Sequence, residues 1–204
     1  MGNTTLIANR YQLERQIGRG GMGEVSLALD RLTGIQVALK RVSAPLANLS
    51  FSAMNEQIER RLALIKEFEV MASLRHPHIV SVLDYGFDGD QPFFTMELLP
   101  NPQTILEYGA HIDNPGKIRL IAEVLQALQY VHRRGMLHRD LKPANILIDR
   151  GAVKLVDFGL AVTFDQAFGL FGTINYLAPE IISQEFDSAD PSAGVRVDLY
   201  ALGV

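Results

Sequence analysis

The chain contains no cysteine among its 204 residues, which excludes disulfides, cysteine-ligated metals and thiol redox chemistry and fits a reducing compartment. Runs of positive charge are also missing. Nineteen Lys and Arg stand against 23 Asp and Glu without forming a stripe, so a nucleic-acid backbone is excluded as the main partner. No apolar run approaches the roughly 20 residues needed to cross a bilayer. Residues 1–10 lack the basic-then-apolar order of a secretion signal, and the segment is expected to be cytoplasmic, with no membrane partner. Gly2 does not open a myristoylation pattern, because Leu6 stands where Ser or Thr is required. The sequons at Asn3 and Asn48 then read as chance. What remains is a globular composition, 48% hydrophobic, long enough to bury one or two cores.

From 11 to 97 the pattern is mostly short alternating segments broken by Gly, Asn and Asp, which predicts strands at 24–30, 35–40 and 93–97. The turn Arg31-Leu32-Thr33-Gly34 predicts a hairpin between the first two. One helix is expected over about 54–74, with Ile58, Leu62, Ile65, Phe68 and Met71 at helical spacing and His76-Pro77 as its stop. After Pro100-Asn101-Pro102 the period changes. Residues 117–134 carry Ile118, Ile121, Val124, Leu125, Leu128 and Val131, the expected buried stripe of a long helix that Gly135 ends. Two short strands, 146–149 and 153–156, should flank the Arg150-Gly151 turn. These features place a small unit at 1–98, a larger one at 99–204 and a hinge near 98–102.

Three groups of residues carry chemistry. Gly18-Arg19-Gly20-Gly21-Met22-Gly23-Glu24-Val25 is a glycine-rich turn whose backbone amides can approach phosphates closely. It is no Walker loop, which needs Gly-Lys-Ser/Thr where Gly23-Glu24-Val25 stands. Nor is it a dinucleotide loop, which needs a helix where alternation predicts a strand. Lys40 closes Val37-Ala38-Leu39-Lys40, a position where a buried lysine requires an anion. The matching carboxylate should come from the helix that follows, where Glu67 shares a face with Met71 and Leu74 and Glu69 does not. Finally, His138-Arg139-Asp140-Leu141-Lys142-Pro143-Ala144-Asn145 puts a carboxylate and an amide on one short loop, and Asp157-Phe158-Gly159 follows the next hairpin. Hard oxygen ligands of this kind suit Mg²⁺ on nucleotide phosphates. Such a reaction asks the protein mainly for positioning and charge neutralisation, with one acceptor for a hydroxyl proton, the part expected of Asp140.

With these motifs in this order, the sequence resembles the protein kinase family, in particular the eukaryotic-like serine/threonine kinases of bacteria, from about Tyr11 to the last residue. The resemblance implies an α+β, two-lobed kinase-like fold, with strands and one helix in the small lobe and a mostly helical, incomplete large lobe. It implies ATP and Mg²⁺ as cofactors and a protein substrate with a Ser or Thr acceptor. By the same resemblance Ile17, Gly18, Gly20, Gly21, Gly23 and Val25 roof the nucleotide, and Lys40 and Glu67 form an ion pair. Glu97 and Leu99 hold the adenine after gatekeeper Met96, and Val25, Ala38 and Leu147 sandwich its ring. Asp140 is the expected base, Lys142 a γ-phosphate contact, and Asn145 and Asp157 the Mg²⁺ ligands. Val82, Met71, Phe158 and His138 should stack in a column seated on Asp198. Lys142, with Gly172-Thr173 ahead of Tyr176-Leu177-Ala178-Pro179-Glu180, resembles the Ser/Thr rather than the Tyr branch.

The sequence departs from the family in three places. The stretch from Lys40 to Glu67 is longer than usual. Between Gly159 and Gly172 the only hydroxyl residue is Thr163, so activation by loop phosphorylation is not expected, Thr163 and Thr173 being the only nearby candidates. Arg139 could then meet Asp165 instead of a phosphate. Residues 197–204 resemble the start of the family's central helix, so the expectation is a segment of a longer kinase, marginal by itself. The alternatives are an inactive fragment or nucleotide-binding docking module without turnover, and a small-molecule kinase of the same fold.

Overall fold

The computed structural model describes residues 5–20, 23–42, 68–69, 71–158, 173–183 and 192–204. The chain divides into two compact units, one of 1–73 with 81–99 and one of 74–80 with 100–204.

The first unit is a six-stranded antiparallel sheet in the order β1-β2-β3-β4-β6-β5. Its strands are β1 (Leu6–Ile7), β2 (Tyr11–Gly20), β3 (Gly23–Asp30), β4 (Ile35–Val42), β5 (Val82–Asp88) and β6 (Gln91–Glu97). The β3–β4 turn is the expected one. Gly34 takes φ +72°, and its N–H donates to the Asp30 carbonyl at 2.7 Å, a geometry that a residue with a Cβ adopts only under strain. Alternation along the strands sends Ala28, Val37, Leu39 and Phe93 inward with Ile7 and Tyr11, and the Tyr11 and Phe93 rings meet edge to face at 5.6 Å. Each large side chain buried here contributes about 1.5–3 kcal/mol. Of the expected 54–74 helix, helical turns are described at 68–69 and 71–73. There Phe68 packs between the rings of Tyr85 and Phe94.

In the second unit, α1 (Ile105–Gly109) and α2 (Asn114–His132) precede the His138–Asn145 loop. A three-stranded sheet is built from β7 (Gln103–Thr104), β8 (Ile146–Asp149) and β9 (Ala152–Leu155). The β8–β9 turn uses Arg150 and Gly151, both at positive φ, as a two-residue hairpin demands. The segment 74–80 belongs to this unit because it pairs with β9: Val80 N–H donates to the Leu155 carbonyl and Leu155 N–H to the His78 carbonyl, each at 2.9 Å. Two further elements are α3 (Pro179–Ile182) and α4 (Ala193–Gly203).

The long helix differs from its sequence reading at both ends and on one face. It begins at Asn114, before Lys117, because the Asp113 carboxylate caps it by accepting from Gly116 N–H and Pro115 suits the first turn. It buries Leu120, Val124, Ala127, Leu128 and Val131. Ile118, Ile121 and Leu125 are instead 70%, 40% and 41% exposed. The expected stripe merged two neighbouring faces: Val124, Leu128 and Val131 are buried as expected, and the buried face runs from Leu120 in steps of four, three and four through Val124, Ala127 and Val131.

Candidate active site

His138 is fully enclosed and its ring lies 4.6 Å from that of Phe158. Burial pushes its pKa down despite the nearby carboxylates of Asp198 and Asp140, so the ring is neutral, and its Nε2 meets the Val156 carbonyl at 3.2 Å. The next residue, Arg139, takes φ +65°, and Asp157 takes +52°. A non-glycine residue in this region costs of order 1–3 kcal/mol and persists only when its surroundings hold it. For Arg139 the holder is Asp198 on α4. One Asp198 oxygen accepts from Arg139 N–H at 2.9 Å, and the other accepts from His138 N–H at 2.9 Å and meets His132 Nε2 at 2.8 Å. A carboxylate buried to 1% exposure is stable only with such a set of partners. His132, at the last turn of α2, is the member of this set that sequence reasoning missed. Its signal was its place six residues before His138 on the end of a predicted helix.

The turn held by Asp198 presents Asp140. Its Oδ1 accepts from Thr173 N–H at 3.1 Å and from the Thr173 hydroxyl at 3.0 Å. Its Oδ2 accepts from Lys142 Nζ at 2.8 Å and from Asn145 Nδ2 at 3.0 Å. Lys142 Nζ also donates to the Thr173 hydroxyl at 2.8 Å, which closes a three-membered relay of ammonium, hydroxyl and carboxylate. Burial by itself would raise the Asp140 carboxyl. Hydrogen bonds from Lys142 and Thr173, the Lys142 charge and the Asn145 amide outweigh it and hold the group below the usual carboxylate value. Asp140 is thus ionised and able to accept a proton. The single 3-10 turn at Pro143–Asn145 aims Asn145 back at the loop, so that Nδ2 bonds both the carbonyl and the carboxylate of Asp140. That orientation leaves Oδ1 of Asn145 as the atom for a cation.

Among the described residues no group of three or more His, Asp or Glu is gathered for a metal. A site made of the Asn145 amide oxygen, the Asp157 carboxylate and nucleotide phosphates needs no such group. Mg²⁺ is commonly held by one or two carboxylates plus substrate phosphates, and this donor set fits it.

In the first unit, the glycine turn has Gly18 paired with Val25, Arg19 with Glu24 and Gly20 with Gly23 across β2 and β3. Gly23 takes φ +135°, and Ile17, at the register shift between Gln16 and Gly18, is exposed. Lys40 is buried on β4, opposite Val25 on one side and Phe94 on the other, its ammonium 5.9 Å from the Phe94 ring centre. Ala38 and Met96 are buried partners across β4 and β6, and Glu97 accepts from Ser81 N–H at 3.2 Å. Leu99 ends this unit half-buried, and Leu147 lies half-buried on β8 of the other. Gly21, Glu67, Thr163 and Asp165 lie outside the described residues. Glu69 is exposed, where the Tyr85 hydroxyl donates to it at 3.5 Å.

The sequence marks Thr173 as a branch residue and a phosphorylation candidate, and the structure makes it a partner of Asp140. The contact joins residues 33 apart, beyond any periodicity.

A family model described as the protein kinase domain matches residues 11–204. The probable serine/threonine-protein kinase PknB of Bifidobacterium longum is 35% identical over 219 residues, covering 98% of this chain and 30% of that protein. The serine/threonine-protein kinase PrkC of Bacillus subtilis is 33% identical, covering 97% and 30%. PknA of Mycobacterium tuberculosis is 35% identical, covering 97% and 46%. The chain therefore spans between about a third and a half of the length of these relatives. With the family model matched from Tyr11 onward and the His138–Asn145 loop folded around Asp140, the chain belongs to the protein kinase domain family.

Proposed function

We propose that the chain transfers the γ-phosphoryl group of ATP to Ser or Thr hydroxyls of proteins, in the cytoplasm. The observation that carries this reading is the Asp140 carboxylate, ionised and ringed by Lys142, Thr173 and Asn145 within 3.1 Å. In the reaction the acceptor hydroxyl oxygen forms a bond to the γ-phosphorus, the bond from that phosphorus to the β,γ-bridging oxygen breaks, and ADP leaves with the electron pair. The hydroxyl proton passes to Asp140, whose Thr173 partner can rotate away to admit it. Lys142 meets the charge on the transferred group. Mg²⁺ bound by Asn145 and Asp157 would supply charge neutralisation on the phosphates. Lys40, paired with Glu67, would clamp the α- and β-phosphates. The 18–25 turn would cover them, Glu97 and Leu99 would hold the adenine beyond Met96, and Val25, Ala38 and Leu147 would enclose its ring.

The test is incubation of the chain with labelled Mg-ATP and basic peptides that carry Ser, Thr, Tyr or no hydroxyl, beside a set of sugars and aminoglycosides. Label on the Ser and Thr peptides alone is the expected result. Label on the small molecules alone would overturn the protein-substrate reading, and nucleotide binding with no transfer to any acceptor would reduce the chain to a docking module.

A further inference from the structure

The face of α4 that carries Asp198 has an unusual neighbour one turn earlier. Gly194 precedes Asp198 by four residues, so both lie on the same side of the helix, and with Ala193 they are its buried residues. A Cβ built on Gly194 would stand 2.3 Å and 3.0 Å from the two methyl carbons of Leu137 and 3.2 Å from its Cγ. A Cβ built on Gly116 or Gly86 would stand no nearer than 2.9 Å and 3.1 Å to its neighbours. Leu137 is itself buried to 2% exposure and precedes His138, whose amide Asp198 holds. Its whole branched end is turned toward Gly194, so it has little room to swing aside in a close-packed interior. Gly194 is the second residue of α4, where glycine has no turn or cap to form, and the approach of Leu137 accounts for it there.

We propose that Gly194 is a positioning residue of the phosphoryl-transfer site: the missing Cβ sets how closely α4 approaches Leu137, and so places the Asp198 carboxylate on the amides of His138 and Arg139. The chain of contacts is short. Gly194 fixes the distance between helix and loop, Asp198 then reaches both amides at 2.9 Å, and those amides hold Arg139 at φ +65°, one residue before Asp140. A methyl group at 194 pushes apart the two surfaces that this carboxylate bridges. Hydrogen bonds weaken steeply with such a displacement, and a misplacement of about 1 Å at a reacting group can cost on the order of a hundredfold in rate.

The inference rests on the kinase reading for its effect on turnover, and its structural part stands apart from it. The experiment compares Gly194→Ala, Leu137→Ala and the double variant with the unaltered full chain. It reads kcat and KM for phosphate transfer and, separately, amide hydrogen exchange at His138 and Arg139. Gly194→Ala is expected to lower kcat by at least about tenfold with KM for ATP within about threefold, and to speed exchange at both amides. Adding Leu137→Ala should return kcat to within about threefold of the Leu137→Ala single variant, and exchange to its level, because the smaller side chain makes room for the methyl. A general loss of stability would not be rescued by emptying a second core position.

If Gly194→Ala fails to fold while the double variant folds with protected amides, the contact is likewise upheld. Unchanged exchange and kcat in Gly194→Ala, or a double variant worse than either single one, would overturn the proposal. Should the unaltered chain show no transfer at all, the kinase reading fails by itself, and the exchange data still decide the placement of Asp198 by Gly194.

Discussion

Asp30 and Asp140 are both nearly buried carboxylates, their side chains 5% and 8% exposed, and each oxygen of each accepts two hydrogen bonds. Asp30 takes Arg10 Nε and Leu32 N–H on one oxygen, with the second Arg10 nitrogen and the Thr33 hydroxyl on the other. Asp140 takes both donors of Thr173 on one oxygen and Lys142 with Asn145 on the other. Both are held below the ordinary carboxylate value, Asp30 chiefly by its hydrogen bond to Arg10 and Asp140 by Lys142 and Thr173 against the effect of burial. The difference lies in the donors. Asp30 faces one planar guanidinium fork, which binds both oxygens at once and is lost only as a unit. Arg10 is fixed in turn by Asp84 at 2.6 Å, which also accepts from the Tyr11 hydroxyl at 2.7 Å. Beside the fixed Thr173 N–H, Asp140 faces an ammonium, a hydroxyl and an amide, each able to rotate separately. One can yield to a substrate hydroxyl while the rest stay. A fork makes a carboxylate part of the scaffold, and separable donors leave it able to react.

Removing the support under the separable set should have the largest effect on the fold. Asp198→Ala strips partners from the buried His138 amide, the half-buried Arg139 amide and His132, and is expected to cost about 3 kcal/mol or more, measured as a fall in urea midpoint at constant slope. An unchanged midpoint would show that the loop holds itself. Breaking the fork comes next. Arg10→Met leaves Asp30 charged and buried. Because Arg10 is 32% exposed, water softens the loss to about 2 kcal/mol, and kcat per folded molecule should stay within about twofold. A large fall in kcat would erase the distinction drawn between the two carboxylates.

Thr173→Ala should do the reverse, with turnover down about tenfold and the melting curve little changed, whereas Thr173→Ser keeps the hydroxyl and the rate. If the serine variant is as slow as the alanine one, the relay through the hydroxyl is wrong.

The smallest effect is one of pH. His138 is kept neutral by burial, below its ordinary 6.5. The unfolded chain therefore takes up the proton first, and stability is level above about pH 6.5 and falls as pH drops below it. Asp30 and Asp140, with lowered values, contribute stability that is present above about pH 4 and lost only as pH falls through their folded values. Urea midpoints that stay level from about pH 7.5 to about pH 5.5 would contradict the neutral, enclosed ring.

How much of this was readable in the sequence follows the range of the contacts. The hairpin at Asp30–Ile35 and the Asp140–Asn145 loop are local, built by turn residues and short spacings, and the motifs carried them. The seat of the loop on Asp198 was reached through the family resemblance rather than through spacing, since it joins residues 59 and 60 apart. Thr173 on Asp140, His132 on Asp198 and Arg10 between Asp30 and Asp84 left no periodic trace, because each depends on where distant segments meet. Along α2 the period was right and half of the expected stripe, Val124, Leu128 and Val131, is buried, whereas Ile118, Ile121 and Leu125 on the neighbouring face are as apolar as the residues that are buried. Gly194 gave no signal at all, because an isolated glycine near a helix start reads as a weakness until its neighbour is known.

The most direct test of the account is single-turnover phosphate transfer to a Ser peptide by the unaltered chain and by Asp140→Asn, with ATP affinity measured on both. The account predicts equal nucleotide binding and a rate lowered by about a thousandfold, within the range expected for loss of a general base. Equal rates in the two proteins would show that Asp140 accepts no proton, and the reading of this loop as the catalytic site would fall.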